Sequence, residues 1–267
     1  MVKRLALIGC LTVAACTFPE QPLPPGERQV VVHAVLDPSQ RYQTINLTMS
    51  DGRNDESGDL NNAIVTLTTP DGVELIARLD TVRGQNGEFI ATKPPYRIDL
   101  QATGVSLVPG GTYSLRVQTT AGDDITGSTT IPSASPASLP PATDFVRRRD
   151  TVRLSWSSVP GARTYEVQVW STQTYQQYTF TRLQYTAFRD TTLSLAGTAK
   201  DWEDGDVFPS DPFTTARVII YAVDDNYYHY YRRLGDPFIG AAPSRLTGGV
   251  GVFGAIVPIL QRQLTLK

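Results

Sequence analysis

The chain has 267 residues with a formal charge of −2 at pH 7, two cysteines and two histidines; 40% of its residues are hydrophobic and 19% charged. A mildly acidic chain without a basic stripe is not built to bind nucleic acid. Its length allows two domains of the usual size, roughly 100 to 150 residues each.

The chain opens "MVKRLALIGCLTVAAC". Lys3 and Arg4 form a positive start, and the apolar run 5–13 is too short to cross a bilayer as a helix of about 20 residues. That is the pattern of a secretory leader, expected over residues 1–15. Val13-Ala14-Ala15-Cys16 resembles the lipobox of bacterial lipoproteins, which implies that Cys16 becomes the first mature residue and carries a lipid. The thiol is needed because sulfur takes a diacylglyceryl group while the new amine takes a further acyl chain. A single chain binds membranes only marginally, at about 10⁴ M⁻¹, so two or more are needed to anchor durably. With Cys10 discarded and Cys16 lipidated, no cysteine remains for a disulfide or a zinc site. Loss of Lys3 and Arg4 takes the formal charge from −2 to −4. Lipoprotein sorting holds an aspartate after the cysteine at the inner membrane, and Thr17 is not aspartate, so the outer membrane is expected.

Residues 16–28 then read as the anchor and a proline-rich tether, "TFPEQPLPPGER". Extended at about 3.1 Å per residue, the tether lifts the first strand roughly 35 Å from the lipid. From residue 29 the apolar period is two. "QVVVHAVL" (29–36), "YQTINLTM" (42–49) and "AIVTLTT" (63–69) predict strands, and Pro70-Asp71-Gly72 predicts a hairpin into "VELIARL" (73–79). "GEFIA" (87–91), "TYSLRVQT" (112–119) and "DITGSTTI" (124–131) predict three more. Residues 29–132 therefore read as an antiparallel β-sandwich of immunoglobulin or transthyretin kind. "SASPASLPPATD" (133–144) reads as a linker.

Residues 145–267 read as a second sandwich. Val152, Leu154 and Trp156 alternate on one strand and Tyr165, Val167 and Val169 on the next, across Val159-Pro160-Gly161-Ala162. This resembles the B and C strands of a fibronectin type III domain, with "RVIIYAVDDN" (217–226) similar to its F strand. The surplus over such a module, 171–212 and 225–243, reads as insertions. The apolar tail "LTGGVGVFGAIVPILQRQLTL" (246–266) carries glycines, Pro258 and Gln261-Arg262-Gln263, so closing strands are expected there rather than a spanning helix. The fold class is all-β, two tandem antiparallel sandwiches.

Candidate chemistry is sparse. His33 and His229 have no nucleophile motif or zinc-protease pattern beside them. In "KDWEDGDVF", Asp201, Glu203, Asp204 and Asp206 surround Trp202 and Gly205 and could offer calcium several oxygens, although the spacing is not that of an EF-hand and a solvated acidic turn explains it as well. The loop "SDGRNDESGD" (50–59) reads as polar, and Arg147, Arg148 and Arg149 as a solvated basic run. "DDNYYHYYRR" (224–233) sets Tyr227, Tyr228, Tyr230 and Tyr231 around His229. On a helix Tyr227, Tyr228 and Tyr231 would share a broad face; on a strand Tyr228 and Tyr230 would align. These tyrosines, with Trp202, are the candidates for binding a glycan, a peptide or a protein partner, and the tyrosines equally suit packing of the insertion onto its own domain.

The lipobox, "VVVHAVLDPSQRYQTINLTMS", "GGTYSLRV" with "TIP", and "GGVGVFGAIV" together resemble a family of lipoproteins that carry a domain of unknown function and are encoded near TonB-dependent outer-membrane receptors. The resemblance implies a non-catalytic accessory beside such a receptor, bound to the membrane by lipid. No cofactor is expected, the acidic turn being the one weak candidate for calcium. The alternatives are a free-standing surface lipoprotein that binds a glycan or peptide, and a hydrolase with an atypical site.

Overall fold

The structure, a computed structural model, describes residues 29–50, 60–80, 95–138, 143–145, 151–175, 178–188, 191–196, 213–234 and 244–266. The leader, Cys16, the tether, loop 51–59, the strand expected at 87–91, the arginines 147–149 and the acidic turn with Asp201, Trp202, Glu203, Asp204 and Asp206 lie outside the described residues.

The chain is all-β and sandwich-like. The strands expected in the first half form as β1 (Val30–Leu36), β2 (Tyr42–Met49), β3 (Ile64–Thr68), β7 (Thr112–Gln118) and β8 (Asp124–Thr130), with β4 (Glu74–Ile76) and β5 (Arg78–Leu79) where one strand was expected and β6 (Tyr96–Asp99) where none was. Pro70-Asp71-Gly72 does turn β3 antiparallel onto β4, with Gly72 at φ 84°. The single strand expected at 73–79 is in fact two, because the chain leaves one sheet after Ile76 and enters another at Arg78. A four-residue helix, α1 (Leu100–Thr103), follows β6 and is capped by Asp99. In the second half come β9 (Thr143–Phe145), β10 (Thr151–Ser155), β11 (Thr164–Tyr175), β12 (Tyr178–Phe188), β13 (Thr192–Ala196), β14 (Phe213–Val223), helix α2 (Asp225–Leu234) and β15 (Val250–Leu266).

One nine-stranded sheet collects strands from both halves in the order β12-β11-β14-β15-β1-β2-β6-β5, with β9 also paired to β15. A four-stranded sheet, β4-β3-β7-β8, and a two-stranded sheet, β10-β13, complete the layers. The first core sets Val32, Ala34, Ile45 and Phe253 of the large sheet against Val65, Leu67, Tyr113 and Val117 of the four-stranded one. The second sets Val167, Val169, Val218 and Ile220 against Leu154 of β10. Each fully buried Val, Leu or Ile contributes about 1.5–3 kcal/mol. Ala222 of the second core pairs in register with Val257 of the first, so both cores lie on the same face of the large sheet.

Trp156 meets Tyr165 edge-on at 5.4 Å, and the Tyr165 hydroxyl accepts the amide of Val159 at 3.0 Å, pinning the Val-Pro-Gly-Ala turn. Two expectations change. The first part of the surplus after Trp170 continues β11 and returns as β12, an 11-residue strand of the large sheet. The tail is a strand, as its composition requires, but it closes more than the second half. Residues 250–255 run parallel to β1, residues 256–265 run antiparallel to β14, and 264–266 pair with β9. Periodicity shows that a segment is a strand; it does not say which neighbour the edge will meet.

Candidate functional site

The face of the large sheet opposite the two cores carries α2. The helix starts where β14 stops, at a point where β15 continues toward β1 and has lost its β14 neighbour. Asp224 begins it: the carboxylate accepts the amide of Tyr227 at 2.9 Å and the hydroxyl of Thr129 at 2.6 Å. A buried aspartate in this position caps the helix and ties it to β8. Burial pushes its pKa up, against the pull of the hydroxyl and amides around it. The amide of Asn226 donates to the carbonyls of Ser128 at 2.7 Å and Phe253 at 2.9 Å, so one side chain satisfies backbone acceptors of both β8 and β15. Gly254 makes the approach feasible, since a Cβ there would stand 2.9 Å from the Tyr227 backbone nitrogen and Cβ.

The spacing of four residues along α2 then sorts its aromatic residues. Tyr227 and Tyr231 face the sheet with ring centres 4.2 Å apart. The Tyr227 hydroxyl donates to Glu166 Oε2 at 2.9 Å, and Glu166 in turn accepts Gln168 Nε2 at 2.6 Å, which accepts Trp170 Nε1 at 3.2 Å through its own oxygen. Tyr231 Oη lies 2.5 Å from His33 Nε2, and the rings of Tyr230 and Tyr231 stand edge-on to the imidazole at 6.4 and 6.1 Å. Burial pushes the His33 pKa below its ordinary value. Tyr221, on the same face, is pushed up to about 12, chiefly by burial and then by the negative charges of Asp37 and Glu166. The site is therefore an aromatic ridge with a hydrogen-bonded underside. Tyr231 remains 37% exposed at its edge.

Of the expected broad face of Tyr227, Tyr228 and Tyr231, Tyr228 departs. Its ring turns away from the sheet and lies beneath the Arg163 guanidinium, 5.2 Å from the carbon of that group. Sequence reasoning gave Arg163, Arg245, Glu166 and Asp225 no role. Arg163, Glu166 and Arg245 come to α2 from other parts of the chain, and only the spacing of Asp225 and His229 by four on the helix itself was open to view in the sequence. Asp225 Oδ2 pairs with Arg245 at 2.5 Å, and its Oδ1 lies 3.2 Å from His229 and 3.4 Å from Arg163.

Elsewhere, a cleft of about 560 Å³ opens between the turn at 38–41 and the stretch from α1 to Leu107. Arg41 on its wall makes a paired contact with Asp99, at 2.9 and 2.6 Å. That bond holds the Asp99 carboxyl at about 2. The one charged side chain lining the cleft is thus already paired. Among the described residues no three His, Cys, Asp or Glu side chains gather in a metal-holding group, and no helix is long and apolar enough to cross a membrane.

Residues 18–258 match a protein family described as a domain of unknown function, DUF4249. No curated protein matches the chain. One family match thus runs unbroken through the segments on both sides of residues 133–144, as the large sheet does.

Proposed function

The chain belongs to the DUF4249 family, and from that premise we propose that it is a lipid-anchored, non-catalytic component of the outer membrane that holds a partner beside a TonB-dependent nutrient receptor. The observation that carries this reading is Val13-Ala14-Ala15-Cys16 at the end of a short charged-then-apolar leader. The role beside a receptor comes from the resemblance of nearly all of the mature chain to lipoproteins encoded near such receptors. The aromatic ridge of α2 supports it, because partly exposed tyrosines with arginine alongside are the residues that dominate protein interfaces.

Two measurements test it. Full-length protein purified from detergent-solubilised membranes should bring down a large β-barrel receptor, and a preparation that repeatedly lacks one counts against the accessory role. Cys16→Ser should leave the fold intact by circular dichroism and move the protein to the soluble fraction, because the acyl chains that hold it are gone. Retention of that variant through a carbonate wash would contradict the anchor.

A further inference from the structure

We propose that the outward face of α2 is a docking surface for an acidic segment of a protein partner, read chiefly by Arg163 and Arg245. Asp225 is the one carboxylate of this cluster and is set against two guanidiniums, with His229 also at 3.2 Å. The group therefore keeps a net positive charge, in a chain whose overall formal charge is −2. Its members are open to solvent, with side chains 50% exposed for Arg163, 48% for Arg245 and 44% for Asp225.

The two arginines are held differently, and the difference points to the ligand. Arg245 is clamped, with one nitrogen on Asp225 Oδ2 at 2.5 Å and the other donating to Asn226 Oδ1 at 3.1 Å. Arg163 is positioned without being consumed. Its backbone amide is fixed by the carbonyl of Val223 at 2.7 Å, and its guanidinium lies close enough over Tyr228 to be held by the ring. Its nearest carboxylate oxygen, Asp225 Oδ1, is 3.4 Å from Nε, too far for a good hydrogen bond. Among the described residues no acceptor takes the two terminal nitrogens of Arg163. A planar fork of donors held against an aromatic ring matches a carboxylate in two-point contact. Anionic lipid surfaces are bound by clusters of about four to eight Lys or Arg, and this patch is two arginines with a tyrosine, the composition of a protein interface.

This surface rests on the accessory role for the identity of its partner, whereas its chemistry is tested independently of the receptor. Full-length protein in detergent is titrated with a fluorescent octapeptide of alternating glutamate and glycine. The comparisons are its lysine counterpart and vesicles of phosphatidylcholine containing one fifth phosphatidylglycerol. The glutamate peptide should bind, the lysine peptide should not, and binding should weaken steeply with added salt. Arg163→Gln and Arg245→Gln should each lower affinity roughly fivefold or more. Arg163→Glu should reverse the preference between the two peptides. Unchanged thermal unfolding keeps these changes assigned to the surface. The proposal is overturned if the peptides bind equally or not at all, if only the vesicles bind, or if Arg163→Gln has no effect. Failure of receptor co-purification with glutamate-peptide binding intact would sink the accessory role and leave this surface standing.

Discussion

Asp224 shows how one residue can start an element and still cost stability. The residue is 4% exposed, so the charge is poorly solvated, and its folded pKa is raised. A raised pKa means that the folded state holds the proton more tightly than the unfolded chain. The group's stabilising contribution is thus present in acid and is lost as pH rises through the folded pKa. Asp224→Asn keeps an oxygen for the Tyr227 amide, and its amide can donate to Thr129 Oγ1. It should therefore match or exceed the native Tm at pH 7, with the gap shrinking as pH falls into the carboxylate range. Asp224→Ala leaves the Tyr227 amide and the Thr129 hydroxyl without their acceptor and should cost about 1–2 kcal/mol. Thermal unfolding followed by circular dichroism over pH separates these cases, and an Asn variant weaker than the Ala variant would refute the account.

At the scale of the element, β15 is shaped by its glycines. Gly251 has φ 115°, and a Cβ there would collide with the carbonyl oxygen of Val32 on β1. Gly251→Ala is expected to lose at least about 3 kcal/mol or fail to fold, because strand pairing and backbone conformation both oppose it. Gly254 has ordinary backbone geometry and is small for another reason, the closeness of α2. Gly254→Val should cost about 1–3 kcal/mol by overpacking and lift the helix. The readout is His33: once Tyr231 moves off, its pKa should return toward the ordinary histidine value in an NMR titration. A stability loss with His33 unmoved would mean that the helix had not shifted. The motif "GGVGVFGAIV" was legible in the sequence as part of an apolar, glycine-bearing closing strand. That its glycines serve close approach to β1 and to α2 was not, because those neighbours lie far away along the chain.

For the whole molecule, β15 is the seam. At 17 residues it runs about 55 Å and joins β1 of the first half to β14 of the second. Residues of the 133–144 stretch are tied to the same seam, with the amide of Ala137 donating to Pro258 O at 2.7 Å and Gln261 Nε2 donating to Ala137 O at 2.6 Å. A fragment ending at residue 138 therefore lacks the strand that pairs with β1 and covers part of the first core. Such a fragment should stay unfolded or aggregate, whereas the full chain should unfold in one cooperative transition. A fragment with a sharp transition of its own would show that β15 is dispensable to the first sandwich.

Alternating β-branched runs, punctuated by glycine and proline, were enough to determine an all-β chain and most strands of its first half, because a half-buried strand must alternate whatever it pairs with. The tyrosine cluster was legible as unusual, and the helix was one of two readings open to it. Tertiary structure alone decided that Tyr227 and Tyr231 lie down on His33 and Glu166 while Tyr228 turns out beneath Arg163. It alone decided that the C-terminal strand belongs to both halves. Pairing partners and the two sides of a helix are set by which distant surfaces meet, and local periodicity carries no information about that distance.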